Sequence, residues 1–240
     1  MNWKRAIKKA FNAAGLEIRR HRQDPMSVEL DSLLTLRGRS TSQLKQDLFV
    51  LSELGFKRKG YFVEFGATNG VNLSNSYLLE KELDWDGILA EPATSWHDEL
   101  RRNRRAHIET CCVWSESGSS LKFNQAADSS LSTIDAFSDS DLHATMRKNG
   151  QVYEVKTISL VDMLDKYSAP AVIDYLSIDT EGSEYDILRT FDFEKYRFRV
   201  ITCEHNYTAR RDQVFALLSS KGYRRQYEHL SGVDDWYVAE

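Results

Sequence analysis

No apolar run in the sequence approaches ~20 residues, so no segment reads as a membrane span, and the basic N-terminus lacks the apolar core of a secretory signal. Cysteine is scarce, with three in 240 residues. Cys111 and Cys112 are neighbours, poorly placed to bridge each other, and Cys203 falls in another apparent strand. That excludes a disulfide framework and a cysteine metal site, and it predicts buried thiols in a cytoplasmic protein. A basic excess is missing too. The formal net charge of −4 argues against a nucleic-acid partner. Also absent is the dinucleotide fingerprint Gly-x-Gly-x-x-Gly: counted from Gly66 the chain reads Gly-Ala-Thr-Asn-Gly-Val, which argues against a nicotinamide cofactor.

What is present centres on Tyr61–Gly70, YFVEFGATNG. Tyr61, Phe62, Val63 and Phe65 have the aromatic and β-branched character of a buried strand, and Gly66 and Gly70 let the chain turn close to a ligand. Glu64, two residues before the first glycine, is placed to accept hydrogen bonds from a cationic amino group. Glu91 ends a second apolar strand in GILAEP and could hold both hydroxyls of a ribose. An amino acid joined to a nucleoside suggests S-adenosylmethionine. A plain strand–turn–helix with two solvated acids is the alternative.

Length and a 41% hydrophobic content suit one α/β domain with decorations. Residues 1–55 read as an N-terminal helical extension and 56–240 as the main domain. Residues 1–22 hold seven basic side chains against Glu17, a net of +6, leaving −10 elsewhere. Within residues 2–22, Trp3, Ile7, Phe11, Ala14 and Ile18 recur at helical spacing beside that charge. Such a helix either lies on an anionic membrane, at the inner face, or docks on the main domain or a partner subunit in a homo-oligomer. Gln23–Asp24–Pro25 breaks it, and a second helix is expected over 40–54 from Leu44, Leu48, Leu51 and Leu54.

Further on, strand and helix alternate. A helix follows Ser74 or Asn75, Trp85–Gly87 leads into strand two, and the arginines at 101, 102, 104 and 105 read as a solvated helix face. Ala106–Trp114 is the third strand, with Val113, Trp114 and Ser115 placed where an adenine would lie. Ser117–Gly150, rich in Ser, Asp and Asn, reads as an insertion over the site mouth or as a surface loop. Thr157–Tyr167 has a helical pattern, AVIDYLSID ends a fourth strand at Asp179, and RFRVITCEHN ends a fifth at Glu204–His205–Asn206. The rhythm implies a doubly wound, mainly parallel sheet with ligands at the carboxyl ends of its strands.

Four segments, YFVEFGATNG, GILAEP, YLSIDTEGSEYDIL and VITCEHN, together resemble the FkbM family of S-adenosylmethionine-dependent methyltransferases, from about Gly60 to Ala239. The resemblance implies a Rossmann-like class I methyltransferase fold with a seven-stranded sheet. It assigns the methionine part of the cofactor to the loop of Glu64, Gly66, Ala67, Asn69 and Gly70, and the ribose to Glu91 beside Pro92. The family usually has Asp in place of Glu64 and Asn in place of Thr68. Its members mostly methylate hydroxyls of sugars or secondary metabolites. That implies an O-methyltransferase acting on a sugar of a bacterial-type glycan or its lipid-linked precursor; a small-metabolite enzyme and a non-catalytic module of the same fold are the other readings.

A hydroxyl needs a base or a metal to become a good nucleophile. His205 is the expected general base, since its ordinary pKa is near neutrality. Asp179 and Glu204 share the same strand ends, as orienting or substrate-binding groups, and Asp179 also borders the cofactor. Alternatively Asp179, Glu204 and Asn206 surround Mg²⁺, as hard oxygen ligands. Glu181 is read as a cap on the helix starting near Ser183.

Overall fold

The computed structural model describes residues 25–126, 132–138 and 144–240. The helix expected over residues 2–22 lies outside them. The described chain divides into two units at Leu36. The first carries all but the last residue of helix α1 (Pro25–Arg37), whose opening proline needs no N–H partner in a first turn, and in which Thr35 Oγ1 donates to the Asp31 carbonyl at 2.8 Å.

In the second unit the chain runs α2 (Gln46–Glu53), β1 (Tyr61–Phe65), α3 (Tyr77–Leu83), β2 (Asp86–Ala90), α4 (His97–Asn103), β3 (His107–Glu109), β4 (Cys112–Trp114), β5 (Ser120–Gln125) and β6 (Thr133–Ile134). It continues through α5 (Ala144–Arg147), β7 (Gln151–Ser159), α6 (Leu160–Lys166), β8 (Val172–Ile178), α7 (Glu184–Leu188), β9 (Arg197–Glu204), α8 (Arg210–Ser220), β10 (Tyr223–Gln226) and β11 (Asp234–Ala239). Seven strands form one sheet in the order β10-β11-β9-β8-β1-β2-β3, parallel except for β11, which runs antiparallel to both β9 and β10. This is the doubly wound, mainly parallel, seven-stranded sheet expected from the sequence. β1, β2 and β8 are buried along almost their whole length, which is why they read as apolar runs without alternation. Val63, Ile88, Leu176, Ile201, Met163 and Leu218 are fully enclosed in one core cluster, and each such side chain contributes about 1.5–3 kcal/mol on burial. Chain order reverses between β1 and β8, so a crevice opens beyond the ends of β1, β2, β8 and β9.

A second sheet, β4-β7-β5-β6, covers part of that crevice. Its own core joins Cys112, Phe123, Ile134, Phe137 and Val155. The described part of the 117–150 insertion is therefore folded structure.

Three boundaries differ from the sequence expectation. Ala106–Trp114 is two strands: Glu109 accepts from the Cys111 N–H at 2.9 Å, turning the chain so that β3 edges the large sheet and β4 pairs with β7. Thr157–Ser159 belongs to β7, whose alternating Val155, Thr157 and Ser159 with Glu154, Lys156 and Ile158 follow strand spacing; α6 begins at Leu160, capped by Ser159 Oγ, which accepts from Asp162 N at 3.1 Å. The helix expected over 40–54 spans only Gln46–Glu53, because residues 40–45 form a polar turn.

Candidate active site

At the crevice lies a cavity of about 260 Å³. Its floor is the loop after β1. Gly66 has φ +69°, and a Cβ there would come within 2.3 Å of the Asp179 carbonyl oxygen, so only glycine fits. The next turn places Thr68 at φ +45°, where its N–H donates to Glu91 Oε2 at 2.8 Å. The other oxygen of Glu91 accepts from Ala93 N, also at 2.8 Å. Burial pushes this carboxyl up to about 7 against the lowering pull of those two N–H groups. Each oxygen keeps a lone pair, and the group lines the cavity.

Asp179 lines the cavity from the end of β8. It is hydrogen-bonded to Glu204 at the end of β9; burial pushes Asp179 up to about 7 and Glu204 well above its usual range, so the pair shares a proton near neutral pH. Beside them, Glu181 is left-handed at φ +57° and pairs with the fully buried Arg147 at 2.8 Å. Glu184, not Glu181, holds the turn before α7: its Oε1 accepts from Thr180 N, Thr180 Oγ1 and Gly182 N at 2.8–3.1 Å. The insertion closes one side, with Phe123, Ser132 and Ile134 on the wall and Thr133 Oγ1 donating to the Glu181 carbonyl at 3.0 Å.

Of the residues expected at the cofactor, Glu64, Gly66, Asn69, Glu91, Pro92, Val113 and Asp179 line this cavity. Ala67, Gly70, Trp114 and Ser115 are not on its wall. Ala67 N–H donates to the Ala90 carbonyl at 3.3 Å. Gly70, at φ +77°, lies so close to Leu100 and Arg104 that a Cβ would meet both at 2.6 Å; its role is to let α4 approach. Trp114 turns into the small-sheet core against Phe137 at 6.1 Å, and Cys112 faces the cavity in its stead. Glu64 is on the wall, yet its carboxylate accepts from Asn75 N at 2.6 Å and from the hydroxyls of Ser74 and Ser76, with Arg104 at 3.8 Å. It anchors the start of α3 with three of its acceptor positions taken. Arg104 is buried, unlike the solvated face expected of it, and also meets Glu80 at 3.0 Å.

His205 does not reach the cavity, which corrects its reading as the base. Its Nδ1 accepts from Tyr207 N at 3.0 Å, Nε2 has no hydrogen-bond partner and faces Asp235 at 3.9 Å, and burial lowers its pKa. It lines a separate crevice of about 10 Å³ with Glu204, Arg211 and Asp235. Asn206 also departs from expectation, donating through Nδ2 to Glu181 at 3.2 Å. Carboxylate oxygens of Asp179, Glu181 and Glu204 do gather within 4.8 Å. One of the three, Glu181, is already paired with the Arg147 guanidinium at 2.8 Å. Trp96, Cys112, Phe123 and Ile134, the apolar wall, were missed in the sequence, because hydrophobic residues flanking a site look the same as core.

A family model described as the methyltransferase FkbM domain matches residues 64–225. No curated protein sequence matches the chain. Among solved structures, the chain is similar to an O-methyltransferase from Bacillus cereus in complex with SAH, at 12% identity and a TM-score of 0.43 over 98% of this chain and 97% of that one. It is also similar to a precorrin-6y C5,15-methyltransferase from Geobacter metallireducens, at 12% identity and 0.41 over 75% and 71%. A putative RNA methyltransferase from Pyrococcus horikoshii gives 12% and 0.41, over 82% of each chain.

Proposed function

The chain belongs to the FkbM methyltransferase family, and on that premise we propose that it is an S-adenosylmethionine-dependent O-methyltransferase acting on a sugar hydroxyl, as in a glycan or its precursor. The observation that carries the O-methyl reading is Asp179, a carboxyl on the cavity wall hydrogen-bonded to Glu204, with its affinity for a proton raised by burial. Glu91 would hold the ribose hydroxyls, Gly66 and Thr68 the path of the donor along the β1 loop, and Cys112, Val113 and Trp96 the base. When bound, the donor supplies an electrophilic methyl group on a sulfonium.

Asp179 then takes the proton of the acceptor hydroxyl as the oxygen–carbon bond forms. Glu204, hydrogen-bonded behind it, holds the carboxylate in place, while burial keeps Asp179 basic near neutral pH. The insertion wall, Phe123 and Ile134, excludes water, and the polar rim at Ser132, Thr180 and Ser183 offers hydrogen bonds to an acceptor bearing several hydroxyls. That rim favours a sugar over an apolar metabolite.

Transfer of labelled methyl to a panel of mono- and oligosaccharides tests the reading. The expected outcome is O-methylation that falls by about 10²–10⁴-fold in Asp179→Asn, with donor affinity retained and no change on adding EDTA. Transfer that persists in Asp179→Asn, or is abolished by the chelator, would contradict the assignment of the base.

A further inference from the structure

One end of the cavity is built from carboxamides. Gln43, Asn72 and Asn75 line it, and among the described residues no lysine, arginine or histidine does. Asn75 is only 8% exposed. Its N–H goes to Glu64 Oε1, and its Nδ2 donates to Ser177 Oγ at 2.9 Å, but its Oδ1 is buried with no hydrogen-bond partner. A buried acceptor without a donor is costly, so Asn75, a residue of the cavity wall, keeps an acceptor that an arriving donor would satisfy. Ser177 lies opposite Glu64 in the register of β8 with β1, which puts Asn75 on the β8 side of the crevice, across Gly66 from Glu91.

Gln43 comes from outside the family-matched residues 64–225. Its segment is tightly built: the hydroxyls of Ser40 and Ser42 donate to Asp47 Oδ1 at 2.8 and 2.9 Å, Lys45 Nζ donates to the carbonyls of Ser40 and Ser42 at 3.1 Å each, and Thr41 Oγ1 donates to the Ser74 carbonyl at 3.3 Å. A bridge between Ser42 and Leu73 then presents the exposed Gln43 carboxamide at the cavity.

We infer that this carboxamide end holds the aminoacyl end of the methyl donor, with Asn75 Oδ1 accepting from its ammonium group and Gln43 Nε2 donating to its carboxylate. Asn75 thereby takes the part that the sequence assigns to Glu64, while Glu64 fixes Asn75 through its backbone. Recognition of a zwitterion by neutral amides also accounts for a wall without cations. The inference rests on the donor reading of the cavity, and it adds a segment ahead of the family-matched residues to the site.

The test compares two ligands by titration calorimetry: S-adenosylhomocysteine, and 5′-methylthioadenosine, which keeps the adenosine and sulfur but lacks the aminoacyl end. Asn75→Leu is expected to weaken the first about tenfold and leave the second within about twofold, as loss of one charge-assisted hydrogen bond requires. Gln43→Ala, at an exposed position where folding is not at stake, is expected to weaken only the first, by about threefold. Equal weakening of both ligands, or of neither, would overturn the inference. Binding of neither ligand to the wild-type protein would instead overturn the donor reading, and the inference with it.

Discussion

Thr68 carries a conflict between its side chain and its backbone. A β-branched residue at φ +45° is strained, and the strain is held in place because its N–H orients Glu91. Asparagine, the residue usual here in the resembling family, tolerates this conformation. Thr68→Asn is therefore expected to raise stability by about 0.5–1 kcal/mol in denaturant unfolding while retaining donor binding; a loss of stability would mean that the threonine makes compensating contacts. Glu91 itself sets a pH dependence. Ribose hydroxyls donate to its ionised form, and in the unliganded protein burial holds that form back until about pH 7. Donor affinity should rise as pH increases from 6 to 8, by about tenfold, and level off above. The rise should shrink in Glu91→Gln, and a flat wild-type profile would contradict the ribose assignment.

The elements explain why some of this was legible in the sequence and some was not. The apolar runs of β1, β2 and β8 and the glycine at 66 declare the central sheet and its loop, because burial on both faces and a left-handed turn each leave a local signature. The small sheet leaves none of that kind. β4 is three residues long and pairs with β7 far along the chain, while β6, only two residues, exists as the partner of β5, so pairing and not propensity creates them. His205 failed as a base for a related reason: adjacent residues on a strand end face opposite ways, so Glu204 meets Asp179 while His205 turns to Asp235. Arg147 shows how the insertion is fastened. It is fully buried against Glu181, and truncating one member of such a pair leaves an uncompensated charge. Arg147→Met is expected to cost about 3 kcal/mol in urea unfolding, and a cost near zero would show that the hydrogen bond from Asn206 Nδ2 suffices for Glu181.

Across the whole molecule, the parallel sheet brings the ends of β1, β2, β8 and β9 to one crevice, and chain distant in sequence closes it from two sides: residues 40–45 before β1, and the β5–β6 hairpin after β4. The family match begins at Glu64 and so includes the second of these closures but not the first. The cavity wall carries carboxylates and amides and, among the described residues, no cationic side chain, a setting suited to a positively charged sulfonium donor. Everything proposed for the acceptor depends on that donor being held here. The most direct test is calorimetric titration of the wild-type protein and of Glu91→Ala with S-adenosylhomocysteine. Binding with one site per chain, weakened at least about tenfold in the variant, is the expected result, since two hydroxyl hydrogen bonds to a buried carboxylate are lost. A folded wild-type protein that does not bind, or a Glu91→Ala protein that binds equally well, would contradict the assignment of this cavity to the methyl donor.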